Sequence, residues 1–169
     1  MPEPVESLRL LPPATRFILQ CGQDAREAAG RGFGLALPEA ACRAESAGGR
    51  AALWLGPDER LLLAPAGLED ILAGELEAAL GGLPHSLVDV SQRQVALAVT
   101  GPAARELLSH GCPLDLDTAV FPVGMCTRTV LGRAEVVLWR SRPEEYHLET
   151  GRSFAGYVLG WLREAERGD

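Results

Sequence analysis

The chain contains no lysine, since all sixteen of its basic residues are arginine. Whatever its origin (the codon bias of a GC-rich genome suffices), this excludes a Schiff-base lysine, a phosphate-loop lysine and a lysine general base. No run of eighteen apolar residues occurs in the 169-residue sequence, so no transmembrane helix is expected. The opening MPEPVESLRLLPP is acidic and proline-rich. It lacks the basic and apolar regions of a secretory signal, so a cytoplasmic location is expected. Cysteine is sparse: Cys21, Cys42, Cys112 and Cys126 include no C-x-x-C pair, which removes zinc-ribbon and thioredoxin-type motifs. The histidines His85, His110 and His147 are scattered. His110 and Cys112 lie close together, but two ligands do not complete a metal site. No metal site is expected, and the cysteines read as small buried apolar residues. Positive charge is scarce too. The formal net charge is −7, with 12 acidic and 7 basic residues in 1–84 and 11 and 9 in 85–169. Neither half carries the basic footprint of a nucleic-acid-binding surface, and no such partner is expected.

What the sequence does have is a weak internal duplication, the kind of signal that decides architecture. A shift of 79 places Gly22 on Gly101 and Ala25-Arg26-Glu27 on Ala104-Arg105-Glu106, and aligns Gly32 with Gly111, Leu35 with Leu114 and Leu37 with Leu116. The shift then grows to 85, pairing Arg43 with Arg128, Trp54 with Trp139 and Leu61 with Tyr146. The second copy therefore carries an insertion of about six residues near Asp117–Gly124, just before a strand expected from Met125.

Each copy predicts the same elements. Phe17–Cys21 and Val95–Val99 are short apolar strands ending at glycine. Helices follow from near Gln23 and Pro102, the proline suiting a first helical turn. Gly111 is expected at the left-handed position past the second of these helices. Hairpins follow over Ala51–Leu55 and Leu61–Ala64, and over Ala134–Trp139 and Tyr146–Glu149, each turning through a polar tetrad with a proline. Amphipathic helices close both copies, with apolar Leu68, Ile71, Leu72, Leu76, Ala79 and Leu80 in the first. The second has Phe154, Tyr157, Val158, Trp161, Leu162 and Ala165, an aromatic stripe read as core. Extra strands are possible at Leu35–Leu37, Leu87–Val90 and Leu114–Leu116. The predicted fold class is α+β: two pseudo-repeated β-α-β-β-α units with antiparallel sheets and helices on one face. Residues 1–15 form an extension, 16–83 the first unit and 84–169 the second. The boundary lies in the linker Gly81-Gly82-Leu83-Pro84-His85.

No catalytic constellation is visible: there is no G-x-S-x-G, no H-E-x-x-H and no EF-hand loop. Gly30-Arg31-Gly32-Phe33-Gly34 follows a helix and does not join a strand to one, so it reads as a helix exit, as does its counterpart Ser109–Pro113. Asp115 and Asp117 alternate with Leu114 and Leu116, which places both carboxylates on the solvated side of a candidate strand. Glu144-Glu145 reads as solvated, and Ser91–Gln94 as a loop. His147 lies on a strand, and its use as a base would require a hydrogen-bond partner. Phe121-Pro122-Val123-Gly124-Met125-Cys126-Thr127-Arg128-Thr129 joins bulky apolar groups to an arginine. Two readings stay open: a docking loop presenting Phe121, Met125 and Arg128 to a partner, or a buried loop with Arg128 paired to a carboxylate.

Several segments together resemble the sarcosine oxidase gamma subunit family. They are Trp54–Glu59, Val88-Asp89-Val90-Ser91-Gln92-Arg93-Gln94-Val95-Ala96-Leu97, Thr100-Gly101-Pro102-Ala103-Ala104, Gly111–Leu116, Phe121–Thr129 and Ala134–Arg140. The resemblance runs from about Arg16 to Arg163, and its specificity lies in their order and spacing. That family is similar in turn to the folate-binding aminomethyltransferases of the glycine cleavage system, though this chain is much shorter. No motif places their folate carboxylate, and Glu135 receives no such role. The resemblance implies an accessory subunit with no catalytic, cofactor or metal residues of its own, assembled with alpha, beta and delta subunits. It further implies that those subunits hold FAD, covalent FMN, NAD, zinc and tetrahydrofolate. Such a complex oxidatively demethylates sarcosine to glycine and hydrogen peroxide, and passes the one-carbon unit to tetrahydrofolate. The alternative is an independent folate-binding, aminomethyltransferase-like protein.

Overall fold

A computed structural model describes residues 7–168; Glu3 and Glu6, the two acidic residues of the N-terminal segment, lie outside them. The chain forms two compact units, one from Pro13–Gln92, the other from the residues up to Pro12 together with those from Arg93 onward.

In the Pro13–Gln92 unit, β2 (Ala14–Cys21) leads into α1 (Gln23–Phe33), then β3 (Ala44–Ala47), β4 (Arg50–Gly56), β5 (Glu59–Pro65), α2 (Glu69–Leu80) and β6 (His85–Asp89). The sheet order is β3-β4-β5-β2-β6, antiparallel throughout. Period-two alternation turns Phe17, Leu19, Ala52, Leu62 and Ala64 to one face. There they meet Ala25, Ala29 and Phe33 of α1 and Leu72, Leu76 and Leu80 of α2, spaced one helical turn apart. Each buried leucine contributes about 1.5–3 kcal/mol of apolar transfer free energy. Ile71, expected on the apolar stripe, is exposed instead.

The other unit repeats the plan. Here β1 (Leu8–Leu10) pairs with β7 (Gln94–Thr100), and α3 (Ala104–Ser109), β8 (Cys126–Leu131), β9 (Ala134–Arg142), β10 (Glu145–Gly151) and α4 (Ala155–Arg167) complete it, with one 3-10 turn at Arg152–Phe154. The order β1-β7-β10-β9-β8 matches the first sheet strand for strand. Its helix-side core holds Leu97, Val99, Leu107, Leu108, Val136, Leu138, Tyr146, Leu148, Val158 and Leu162. The α+β class, the antiparallel sheets and the one-sided helices are as the sequence predicts.

The predicted unit boundaries need correction. Leu8–Leu10 of the supposed extension is a strand, and the Gly81–His85 linker lies inside the first unit. In each repeat the leading strand, β1 or β6, joins the sheet built by the other repeat: β1 pairs with β7, and β6 with β2. Strand pairing selects the edge that is open, and a boundary drawn from glycine and proline composition does not register which edge that is.

Three further expectations change. Leu35–Leu37 and Leu114–Leu116 are not strands; Leu37 and Leu116 are buried while their flanks turn. Asp115 and Asp117 accept hydrogen bonds from the Asp117 and Ala119 amides at 2.9 and 3.0 Å. These are local turns that compete with a strand ladder. Pro102 precedes α3 and lies outside its first turn. Gly34, at φ 73°, takes the left-handed position past α1, but Gly111 does not take it past α3. A Cβ on Gly111 would come within 2.5 Å of the Trp161 ring, and one on Gly32 within 2.8 Å of Ala79 Cβ and 2.9 Å of the Glu75 carbonyl. The duplicated glycine lets the two helices of each unit approach closely.

The aromatic stripe also divides. Val158 and Leu162 are buried and Trp161 is half-buried, whereas Phe154 and Tyr157 are exposed. Tyr157 is held at the surface because its hydroxyl accepts the Arg133 amide at 3.1 Å, bracing the β8–β9 turn.

Candidate functional site

The candidate site is an open cleft of about 690 Å³ in the unit that begins at Arg93. On the sheet face turned away from the helices, Arg128 of β8, Val137 of β9 and Glu149 of β10 stand in register as neighbours. Cross-strand pairs point the same way, so the three form one row. Arg93 and Gln94 at the start of β7, Glu135 of β9 and Arg152–Phe154 complete the wall. Gln94 pairs with Gly151, and the Arg152 amide donates to the Arg93 carbonyl at 2.9 Å, which fixes the rim. Thr150 Oγ1 donates to the Glu135 carbonyl at 3.0 Å and ties β10 to β9.

Arg93, Arg128 and Arg152 face Glu135 and Glu149, so the cleft gathers positive charge in a chain whose net charge is −7. Guanidinium groups present fixed forks to carboxylates, so the three arginines and two glutamates make the wall of the cleft strongly polar. Glu149 is 1% exposed and lies 2.7 Å from His147 Nε2, whose ring packs tilted against that of Trp139 at a centroid distance of 5.6 Å. This is the hydrogen-bond partner that a role for His147 would require. The i, i+2 spacing of His147 and Glu149 on a strand is the signal by which the pair could have been found; Arg93 and Arg152 carry none, because only the fold brings them together.

The residues of the predicted docking loop are separated. Phe121 is buried in the helix-side core, with its ring centroid 6.4 Å from that of Tyr146. Met125 packs half-buried against the same core. Only Arg128 is exposed, and it lines the cleft. The reading of Phe121 as an exposed anchor is thus corrected: the insertion folds its one aromatic ring inward and leaves Val120 and Val123 outside.

Cys112 and Cys126 are buried, and Cys21 and Cys42 are half-buried. Burial pushes the Cys21 thiol up, against the opposing pull of Arg60 and Arg26. Among the described residues no group of three or more His, Cys, Asp or Glu is placed to hold a metal ion. Among the described residues no helix is long and apolar enough to cross a membrane.

Two antiparallel α+β units of this order, 92% of the chain, superpose on 44% of the glycine cleavage system aminomethyltransferase T from Bartonella henselae, with a TM-score of 0.68 at 15% identity. The fold class is therefore that of the aminomethyltransferase T domain. A chain of the heterotetrameric sarcosine oxidase from Corynebacterium sp. U-96, solved in complex with pyrrole 2-carboxylate, matches with a TM-score of 0.87 and 32% identity over 94% of this chain and 82% of that one. In sequence, the sarcosine oxidase subunit gamma of Corynebacterium sp. (strain P-1) is 41% identical over 122 residues, 72% of this chain and 59% of that relative. The chain thus spans under two thirds of that relative's length. The model of the sarcosine oxidase gamma subunit family matches residues 22–167, and the chain belongs to that family.

Proposed function

We propose that the chain is an accessory, non-catalytic gamma subunit of a heterotetrameric sarcosine oxidase, with alpha, beta and delta subunits as its partners. In this reading the assembly oxidatively demethylates sarcosine to glycine and hydrogen peroxide and passes the one-carbon unit to tetrahydrofolate. FAD, FMN, NAD, zinc and tetrahydrofolate are held by the other subunits, in the cytoplasm. The observation that supports it most is the superposition of 94% of this chain on a chain of a heterotetrameric oxidase. The arginine-rimmed cleft and the exposed Val120 and Val123 supply charged and apolar ground for docking. The test is co-expression with the flavin-carrying subunits of such an oxidase. One stable assembly with sarcosine-dependent peroxide formation is expected. A monodisperse chain that never co-purifies with them sinks the proposal.

A second reading, folate binding by this chain alone, is favoured by the buried carboxylate of Glu149 beside the cleft. Saturable binding of tetrahydrofolate by the isolated chain, lost in Glu149→Gln, would establish it in place of the first.

A further inference from the structure

Among the described residues four strands lie at sheet edges, β1, β8, β3 and β6. An edge strand offers backbone N–H and C=O groups to any extended chain that can pair with it, and proteins commonly keep such edges short. Three of these are short. β1 has three residues, with Pro12 and Pro13 close behind it. β3 has four and carries the exposed Glu45. β6 has five and ends at Asp89, whose carboxylate turns back to accept the Ser91 amide at 2.9 Å. β8 is the longest, with six residues, and both its ends are anchored: Cys126 is 0% and Leu131 1% exposed. β3 and β8 hold the same place in the duplicated plan, so the same edge is short in one copy and long in the other.

The ladder fixes which groups of β8 point outward. The Arg140 amide donates to the Met125 carbonyl at 3.0 Å, and Leu131 faces Ala134 across the Gly132-Arg133 turn. Antiparallel bonding alternates along a strand, so Thr127, Thr129 and Leu131 turn their backbone groups to β9. Those of Arg128 and Val130 turn away from it. The Arg128 carbonyl accepts the Thr127 hydroxyl at 3.3 Å. The N–H and C=O of Val130 have no partner among the described residues, and its side chain is 37% exposed.

A backbone donor and acceptor side by side on an edge are matched by another extended backbone. The side chains indicate what that backbone carries. Arg128 and Val130 share one face of β8, so the fitting strand has an aliphatic residue beside Val130 and a neutral or acidic one beside Arg128. Val120 and Val123, both exposed, lie just ahead of β8 and add aliphatic surface. The β8 of a second copy does not meet this pattern, because Cys126–Leu131 holds an arginine and no carboxylate.

We infer that the outer edge of β8 seats an extended, aliphatic segment of a partner subunit, added as a sixth strand to this five-stranded sheet. The inference rests on the proposed function for the source of the segment, and on the ladder for the place where it binds. The segment's residue beside Arg128 continues the row Glu149, Val137, Arg128, so the partner walls the cleft on its β8 side.

The edge is tested first in the full-length chain alone. The Val130 amide should exchange freely with deuterium while those of Thr129 and Leu131 are protected. A protected Val130 overturns the assignment. Co-expression with the flavin-carrying subunits then tests the occupant. Deuterium uptake over residues 126–131 should fall on assembly, and unchanged uptake overturns the docked strand. Val130→Pro removes only an outward N–H, which an edge strand tolerates. Its thermal midpoint should hold while assembly weakens about tenfold, the loss of one backbone hydrogen bond. If that variant does not fold, the uptake of the wild type decides alone. A folded Val130→Pro that assembles like the wild type overturns the strand and leaves the proposed function standing. A wild type that never assembles overturns both. Dimerisation of the chain alone, lost in Val130→Pro, gives the edge to a second copy and overturns the partner named here.

Discussion

Arg140 Nη1 donates a hydrogen bond to the carbonyl of Phe121 at 2.8 Å, and this bond holds the inserted loop of the second repeat down onto its core. With Nη2 on Pro143, the same guanidinium fastens that loop to the β9–β10 turn. Arg140→Met keeps much of the apolar volume but strands two carbonyls. It should lower the urea-unfolding free energy by about 2 kcal/mol or more. An unchanged midpoint would mean that the clamp is dispensable.

Phe121 should behave as a core residue. Phe121→Ala leaves a cavity beside Tyr146 and should destabilise the chain by about 3–5 kcal/mol, with assembly lost only through unfolding. Val120→Asp with Val123→Asp, at exposed positions, should leave the thermal midpoint within a few degrees and weaken co-purification with the proposed partner subunits. The reverse pattern, with Phe121→Ala folded but unassembled, would return Phe121 to the docking surface.

The contact between Gly111 and Trp161 yields a coupled prediction. Gly111→Ala should destabilise by about 1–3 kcal/mol, because the new methyl meets the indole. Trp161→Leu should recover part of that loss, and the double-mutant cycle should show a coupling of about 0.5 kcal/mol or more. Additive effects would mean that the helices adjust without strain.

His85 makes stability depend on pH. Its Nδ1 lies 2.8 Å from the Leu83 carbonyl and its Nε2 2.9 Å from the Glu77 carboxylate. The bond to the Leu83 carbonyl, then that to Glu77, raise its pKa above the ordinary 6.5. A pKa raised in the folded state means that the stabilisation is fully present below pH 6.5 and fades as pH rises through the higher folded value. His85→Gln should therefore cost more stability in urea unfolding at pH 5.5 than at pH 8.5. Equal costs would show that the imidazole is not held charged.

Deleting residues 1–10 removes β1 and Leu8 from the sheet that β7 anchors. Amide exchange at Leu97 and Val99 should accelerate while the Pro13–Gln92 unit keeps its protection. Uniform loss across both units would instead show that they unfold together.

Much of the architecture is readable from local patterns. Alternation at Phe17–Cys21 and Val95–Val99, proline in both hairpin turns, and the leucine spacing at 72, 76 and 80 each follow from contacts within a few residues, and the 79-residue shift reveals that the plan is repeated. The site is another matter. Arg93, Arg128 and the Glu149–Arg152 stretch come from three separate places in the chain, and no spacing rule links the three. Phe121 has the composition of an exposed anchor and becomes core because Arg140, 19 residues away, holds its backbone in place.

Sequence by itself determined the absence of lysine chemistry, the duplicated α+β plan and the order of the strand, helix, hairpin and helix that each copy shares. These depend on residue inventory and on short-range periodicity. Only the tertiary structure decided which strand completes which sheet, why Gly32 and Gly111 must be small, and which side chains of the inserted loop face solvent. Each of those is settled by what a residue meets across a long loop, and burial and hydrogen-bond satisfaction are properties of that meeting rather than of the residue.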